Sequence, residues 1–181
     1  MNSIYSLPYV FIISGGQHQG KTTYVTDLVK LLSENGYKTG GFVAPGIFEN
    51  NHRVSFQIMD LKTGITMPLC SLNESSGERV GPFSFSEEGL NFGKQLLSAE
   101  NLLECDFVVI DEVGPFELKG KGWSSSIEKL MQSGGHFKMI WVVRKPVIEK
   151  VLKKFRVKDF NLIDISTVSV ADALEILTGH S

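Results

Sequence analysis

The sequence predicts an α/β fold, a mainly parallel sheet flanked by helices with an antiparallel β-hairpin inserted. Short, continuous apolar runs rich in β-branched residues recur at "YVFIIS" (9–14), "DFVVID" (106–111) and "KMIWVV" (138–143), the pattern of strands covered on both faces. Helical segments separate these runs, and strands alternating with helices require right-handed crossovers between parallel neighbours. "HRVSFQIMDLKTGITMPLC" (52–70) differs: apolar and polar residues alternate on either side of "LKTG", which predicts a hairpin with one wet face.

The elements follow in order. Beyond the first strand, Lys21 to Asn35 places Val25, Leu28, Val29 and Leu32 on one helical face, and Gly36 stands where a glycine ends a helix. "YKTGGFVA" (37–44) is a second strand, closed by a Pro45-Gly46 turn. After the hairpin, residues 74–85, "ESSGERVGPFSF", read as a Gly/Pro/Ser-containing loop. Ser86 reads as an N-cap, with Glu87 and Glu88 in the first turn of a helix running to about Glu104. The strand at 106–111 is followed by a helix near 123–133 and the strand at 138–143. A helix over 146–156 stacks Val147, Val151 and Phe155; a strand at 161–165 and a short helix at 169–177 close the chain. Neither repeat nor linker interrupts the pattern, so a single domain over 1–181 is expected.

Composition narrows the function classes. The 181 residues are 42% hydrophobic and 21% charged, with a formal net charge of -2. That balance lacks the basic excess of nucleic-acid or membrane-surface binders, so neither partner is expected. The lysines of "RKPVIEKVLKKFRVK" (144–158) lie opposite the Val147/Val151/Phe155 stripe, as a solvated helix back does. Cys70 and Cys105 are isolated and suggest a reducing compartment, and no His or Cys stands at zinc-ligand spacing. "MNSIYSLPYVFIIS" lacks a basic n-region and a small-residue cleavage site, and no run reaches membrane-spanning length. A soluble, cytoplasmic protein is expected.

The chemistry is concentrated in "SGGQHQGKTTY" (14–24). Gly15-Gly16-Gln17-His18-Gln19-Gly20-Lys21-Thr22 satisfies G-x-x-x-x-G-K-[ST] between a strand and a helix, the context this phosphate-binding loop requires. Gly15 and Gly20 are expected to adopt backbone angles that a side chain would forbid, so that loop N–H groups curl around phosphate oxygens. The helix beginning at Lys21 adds the positive end of its dipole. Lys21 is placed to reach the β- and γ-phosphates, the Thr22 hydroxyl to ligate Mg²⁺, and Thr23 completes the nucleotide-binding segment.

Such a loop needs an acid at the end of a neighbouring buried strand, and "FVVIDE" (107–112) supplies a pair. Asp111 is the candidate metal ligand, through water, and Glu112 the candidate base for a water attacking the γ-phosphate. A further cation is sought among Arg53, Arg79, Arg144 and Arg156. Arg144 directly follows a strand and reaches the same sheet edge as the loop, so it is the first candidate; Arg79 is the second. Trp123 is expected to cap a helix start rather than stack on a base, and His52 and His136 are lone histidines. "DEVG" (111–114) matches the D-x-x-G of GTPases, yet no guanine-reading N-K-x-D follows, so loose base discrimination is expected.

On these residues the chain resembles the THEP-type nucleoside-triphosphatases, a branch of the P-loop NTPases. "GGQHQGKTT" matches that family's glycine-rich loop, "HRVSFQIMDLKTG" its R-x-G-F-x-[IV]-x-D-L-x-x-G, and "DFVVIDEVGPFEL" its D-x-[IV]-[IV]-[IV]-D-E-[IV]-G-x-x-E-L. Ser55 stands where the family usually has glycine, and Phe116 where methionine is frequent. The resemblance implies a RecA-like fold and Mg²⁺-dependent hydrolysis of several nucleoside triphosphates to diphosphate and phosphate. It gives Lys21, Thr22, Asp111 and Glu112 the roles argued above and places Glu117 on a second acidic position. The alternatives are a nucleotide or nucleoside kinase, disfavoured by the scattered arginines, and a nucleotide-binding adaptor for cofactor or metalloenzyme maturation.

Overall fold

A computed structural model describes residues 8–16, 19–73, 77–134 and 136–179. The strands are β1 (Val10–Ser14), β2 (Thr39–Val43), β3 (Gly46–Glu49), β4 (His52–Asp60), β5 (Thr66–Ser71), β6 (Glu78–Val80), β7 (Phe83–Phe85), β8 (Phe107–Asp111), β9 (Lys138–Val142) and β10 (Phe160–Asp164). The helices are α1 (Lys21–Glu34), α2 (Glu87–Leu96), α3 (Ala99–Leu102), α4 (Pro115–Leu118), α5 (Ser124–Ser133), α6 (Ile148–Lys154) and α7 (Val170–Thr178).

All the strands join one sheet, in the order β10-β1-β9-β8-β2-β4-β5-β7-β6, with β3 also on β4. From β10 to β2 every pairing is parallel. From β4 onward every pairing is antiparallel. β1, β2, β8 and β9 are buried on both faces, as their apolar runs require, whereas β10 at the edge of the sheet is largely exposed. Val10, Ile12, Val108 and Ile110 point into one core, which α2, α5 and α6 cover with Leu96, Ile127 and Val151. Phe11, Ile13, Phe107 and Val109 point into the other, against Val25, Leu28 and Leu32 of α1 and Ala173 and Leu177 of α7.

Local signals place the helix starts. The Ser86 hydroxyl accepts the Gly89 N–H at 3.1 Å, and Ser169 and Asp172 form a capping box at α7. The two glycine ends differ. Gly36 takes a left-handed φ of 84° just past α1, whereas Gly41 takes the same φ inside β2, where a strand ordinarily avoids it.

The sequence expectations are corrected at several points. Pro45-Gly46 does not close the second strand. The Pro45 carbonyl accepts the Gln57 N–H at 3.0 Å, so the chain bends there and goes on pairing with β4 as β3. Within 74–85, residues 74–76 lie outside the described set, and the remainder forms the β6–β7 hairpin around Gly81-Pro82 rather than a loop. The helix expected from Ser86 to Glu104 breaks after Leu96. Ser98, whose side chain accepts the Asn101 N–H at 3.3 Å, starts α3. The segment after Val143 opens with a 3-10 turn at Lys145–Val147, with Pro146 in its first turn, where a missing N–H costs nothing, and α6 follows. No helix of the described residues is long and apolar enough to cross a membrane.

Candidate functional site

Sheet register assembles the site. Val142 of β9 stands level with Ile13 of β1 on one side and with Asp111 of β8 on the other. The ladder continues one step past the strands: the Val143 N–H donates to the Ile13 carbonyl at 3.0 Å, and the Val113 N–H to the Val142 carbonyl at 2.8 Å. The phosphate loop, the acid pair and Arg144 therefore leave neighbouring strands at one edge, the carboxyl end of a parallel sheet where α/β proteins bind ligands.

Gly20 caps α1 with a φ of 78°, and no side chain among the described residues bonds to the N–H groups of the first turn, which leaves them available as anion donors. Gly15 meets a different demand from the one expected: it lacks a left-handed φ, but a Cβ there would stand 2.6 Å from Ile165 Cγ1. Its requirement is room, not backbone angle. Gln17 and His18 lie outside the described residues. The Gly16 N–H donates to Gln19 Oε1 at 2.5 Å, and Lys21 Nζ donates to the Gly16 carbonyl at 2.8 Å. Thr23 is exposed on the first turn of α1.

The Thr22 hydroxyl donates to Asp111 Oδ2 at 2.8 Å, and the Ala44 N–H donates to the same oxygen at 3.1 Å. Burial pushes the Asp111 carboxyl up to about 6, against the pull of these two donors. Glu112 projects beside it, and Arg144 Nε lies 2.8 Å from Glu112 Oε1. Partial burial lowers the Lys21 pKa; Glu112 and Asp111 oppose that shift, while the positive charges of Arg144 and Arg53 add to it. Arg79 is exposed on β6, the outermost strand of the sheet, so the structure does not bring it to this edge. Trp123 is 3% exposed, its ring 4.8 Å from that of Phe42, which makes it core at the start of α5. His52 and His136 are exposed.

Glu117, without an assigned task in the sequence, has one in the structure. Its Oε2 accepts the Gly114 N–H at 2.9 Å and its Oε1 the Trp123 N–H at 3.3 Å. The turn after the acid pair, and the short α4 it opens, are thereby pinned to the start of α5. Burial pushes the Glu117 carboxyl up to about 7, so the fold favours its protonated form. Its contribution is fully present below the ordinary value of 4.5 and is lost as pH rises through about 7. Thermal unfolding is therefore expected to show wild-type stability falling between these values, and Glu117→Gln should flatten that slope. An identical slope in both proteins would contradict the assignment.

Arg53 is the site residue that the sequence reading passed over. Its guanidinium carbon lies 4.9 Å from the ring centroids of both Phe48 and Phe56, and its charge reaches Lys21.

A family model described as NTPase matches residues 10–174. The chain belongs to this NTPase family. Among relatives, this NTPase is 36% identical over 123 residues to the nucleoside-triphosphatase THEP1 of Methanosarcina acetivorans, covering 67% of its own chain and 69% of the relative. It is 29% identical over 181 residues to that of Methanopyrus kandleri, covering 94% and 98%. The crystal structure of THEP1 from Aquifex aeolicus superposes with a TM-score of 0.69 at 21% identity, over 93% of this chain and 98% of that one. The THEP-type likeness read from the loop, hairpin and acid segment holds, and so does the P-loop NTPase fold.

Proposed function

We propose that this NTPase hydrolyses nucleoside triphosphates of several bases to diphosphate and phosphate, with Mg²⁺, through Lys21, Thr22, Asp111 and Glu112. One observation carries the reading: the 2.8 Å bond from Thr22 to Asp111, which ties the first turn of the phosphate-loop helix to the acid strand. A hydroxyl and a carboxylate on one point form a hard, all-oxygen donor set that suits Mg²⁺. Among the described residues no group of three or more His, Cys, Asp or Glu could hold a metal ion, so phosphate and water oxygens would complete the shell. Thr22 and Asp111 would hold the ion, which when bound neutralises charge on the phosphate oxygens.

The remaining work falls to the chain itself. The N–H groups at the start of α1 and the Lys21 ammonium take up the phosphate oxygens. Glu112 accepts the proton of a water as its oxygen bonds to the γ-phosphorus, the bridging bond to the β-phosphate breaks, and the diphosphate leaves. Arg144 holds Glu112 in place and adds positive charge beside the reacting phosphate. The absence of an N-K-x-D segment in the sequence supports broad base use. A single domain is favoured by one sheet running through the described chain, and a cytoplasmic location by the two buried cysteines. The exposed Lys150 and Lys153 back the buried Val151 on α6, which supports a solvated face rather than a nucleic-acid surface.

Phosphate release from ATP, GTP, CTP and UTP, with Mg²⁺ and with chelator, tests the reading. Rates within about tenfold of one another are expected, with loss of release in chelator. Transfer to an added nucleoside exceeding hydrolysis would indicate a kinase, and tight binding without turnover an adaptor.

A further inference from the structure

The antiparallel part of the sheet does more than extend it. β2 and β3 pair with the same edge of β4: Phe42 and Val43 stand opposite Asp60 and Met59, and Gly46 to Glu49 opposite Phe56 to His52. β2 ends at the site, so β3 and the first half of β4 rise past the sheet edge as a wall beside Asp111. Ala44, at the foot of this wall, gives its N–H to Asp111.

Arg53 stands on the wall in a particular state. Two aromatic rings hold its guanidinium, and it crosses Gly46, where a Cβ would lie 2.6 Å from its Nε. Nε is shielded from solvent and makes no hydrogen bond, and no carboxylate pairs with the side chain among the described residues. Arg144 is different, because it is already paired with Glu112. A guanidinium without a carboxylate partner, its charge bearing on the loop ammonium, is a receptive partner for an anion arriving between them.

Sheet order says which anion. From β1, which feeds the phosphate loop, the order runs through β9 to the acids on β8, then to β2 and the wall on β4. A triphosphate seated in the loop with its terminal phosphate toward the acids points that phosphate at the wall, and its nucleoside lies on the β10 side. We propose that Arg53 grips the terminal phosphate of the bound triphosphate and sets the preference for triphosphate over diphosphate. The planar fork of a guanidinium suits that group. This inference rests on the hydrolase reading above.

The test compares wild type, Arg53→Met and Arg53→Lys by calorimetric binding of ADP and of the non-hydrolysable β,γ-imido analogue of ATP, with phosphate release measured on the same preparations. Methionine keeps an apolar stem against Phe48 and Phe56 while removing the charge. Arg53→Met is expected to bind the analogue about 10- to 100-fold more weakly and ADP as wild type does, with Arg53→Lys in between. Unchanged analogue binding would overturn the proposal. Equal weakening of both nucleotides would also overturn it, marking Arg53 as a prop of the wall. Should Arg53→Met not fold, Arg53→Lys decides by the same comparison. Wild type that binds no triphosphate would overturn the hydrolase reading and the proposal together; active wild type with an indifferent Arg53 variant overturns the proposal alone.

Discussion

Replacing Glu112 by Gln is expected to lower kcat for phosphate release by about 10²- to 10⁴-fold while triphosphate affinity changes by no more than about twofold. The two side chains have the same shape, and the amide oxygen can still accept from Arg144, which donates to Glu112 Oε1 at 2.8 Å. What disappears is the capacity to take a proton from water. Binding should survive because the proposed grip on phosphate and metal lies with Lys21, Thr22 and Asp111, which Glu112 does not touch through any hydrogen bond. Steady-state kinetics with calorimetric binding separates the two quantities. A variant that turns over at the wild-type rate would remove Glu112 from the chemistry.

Gly41→Ala should damage the fold severely. At a φ of 84° an alanine is strained, and its Cβ would stand 2.1 Å from the Val109 carbonyl oxygen of the neighbouring strand. Neither partner can yield: Gly41 and Val109 are opposed in the parallel β2–β8 ladder, and the Gly41 carbonyl accepts the Leu61 N–H at 3.2 Å. A loss of about 3 kcal/mol or more is expected, read as a lower urea midpoint. The damage should extend to activity, because β2 carries Ala44 to its bond with Asp111. An unchanged midpoint would show that β2 has slack which this geometry denies it.

The parallel half of the fold was legible because its signals are local. Apolar runs of strand length, a helix that begins with Lys21 and ends before Gly36, and a serine cap at 86 each act within a few residues. The motif and the acid pair were legible for the same reason, each being a contiguous string at the end of an apolar run. What escaped the sequence depends on pairing between distant segments. β3, β6 and β7 are too short to show a period, and exist as strands only through their partners. Arg53 lies far from the phosphate loop in sequence and reaches its edge because β4 runs back past the end of β2. Glu117 stands in the sequence on the family's second acidic position, but only burial and two backbone donors give it a task.

The packing around Trp123 restricts how the molecule can move. The ring touches Phe42 on one side and fits against Gly93 of α2 on the other, where a Cβ would stand 2.4 Å away. The same helix approaches β5 so closely at Gly89 that a Cβ would lie 2.4 Å from the Pro68 carbonyl oxygen. One helix therefore braces both halves of a sheet that is already continuous through its hydrogen bonds, and no hinge line runs between them. Such bracing favours closing over a substrate by the rim segments rather than by one half of the sheet moving against the other.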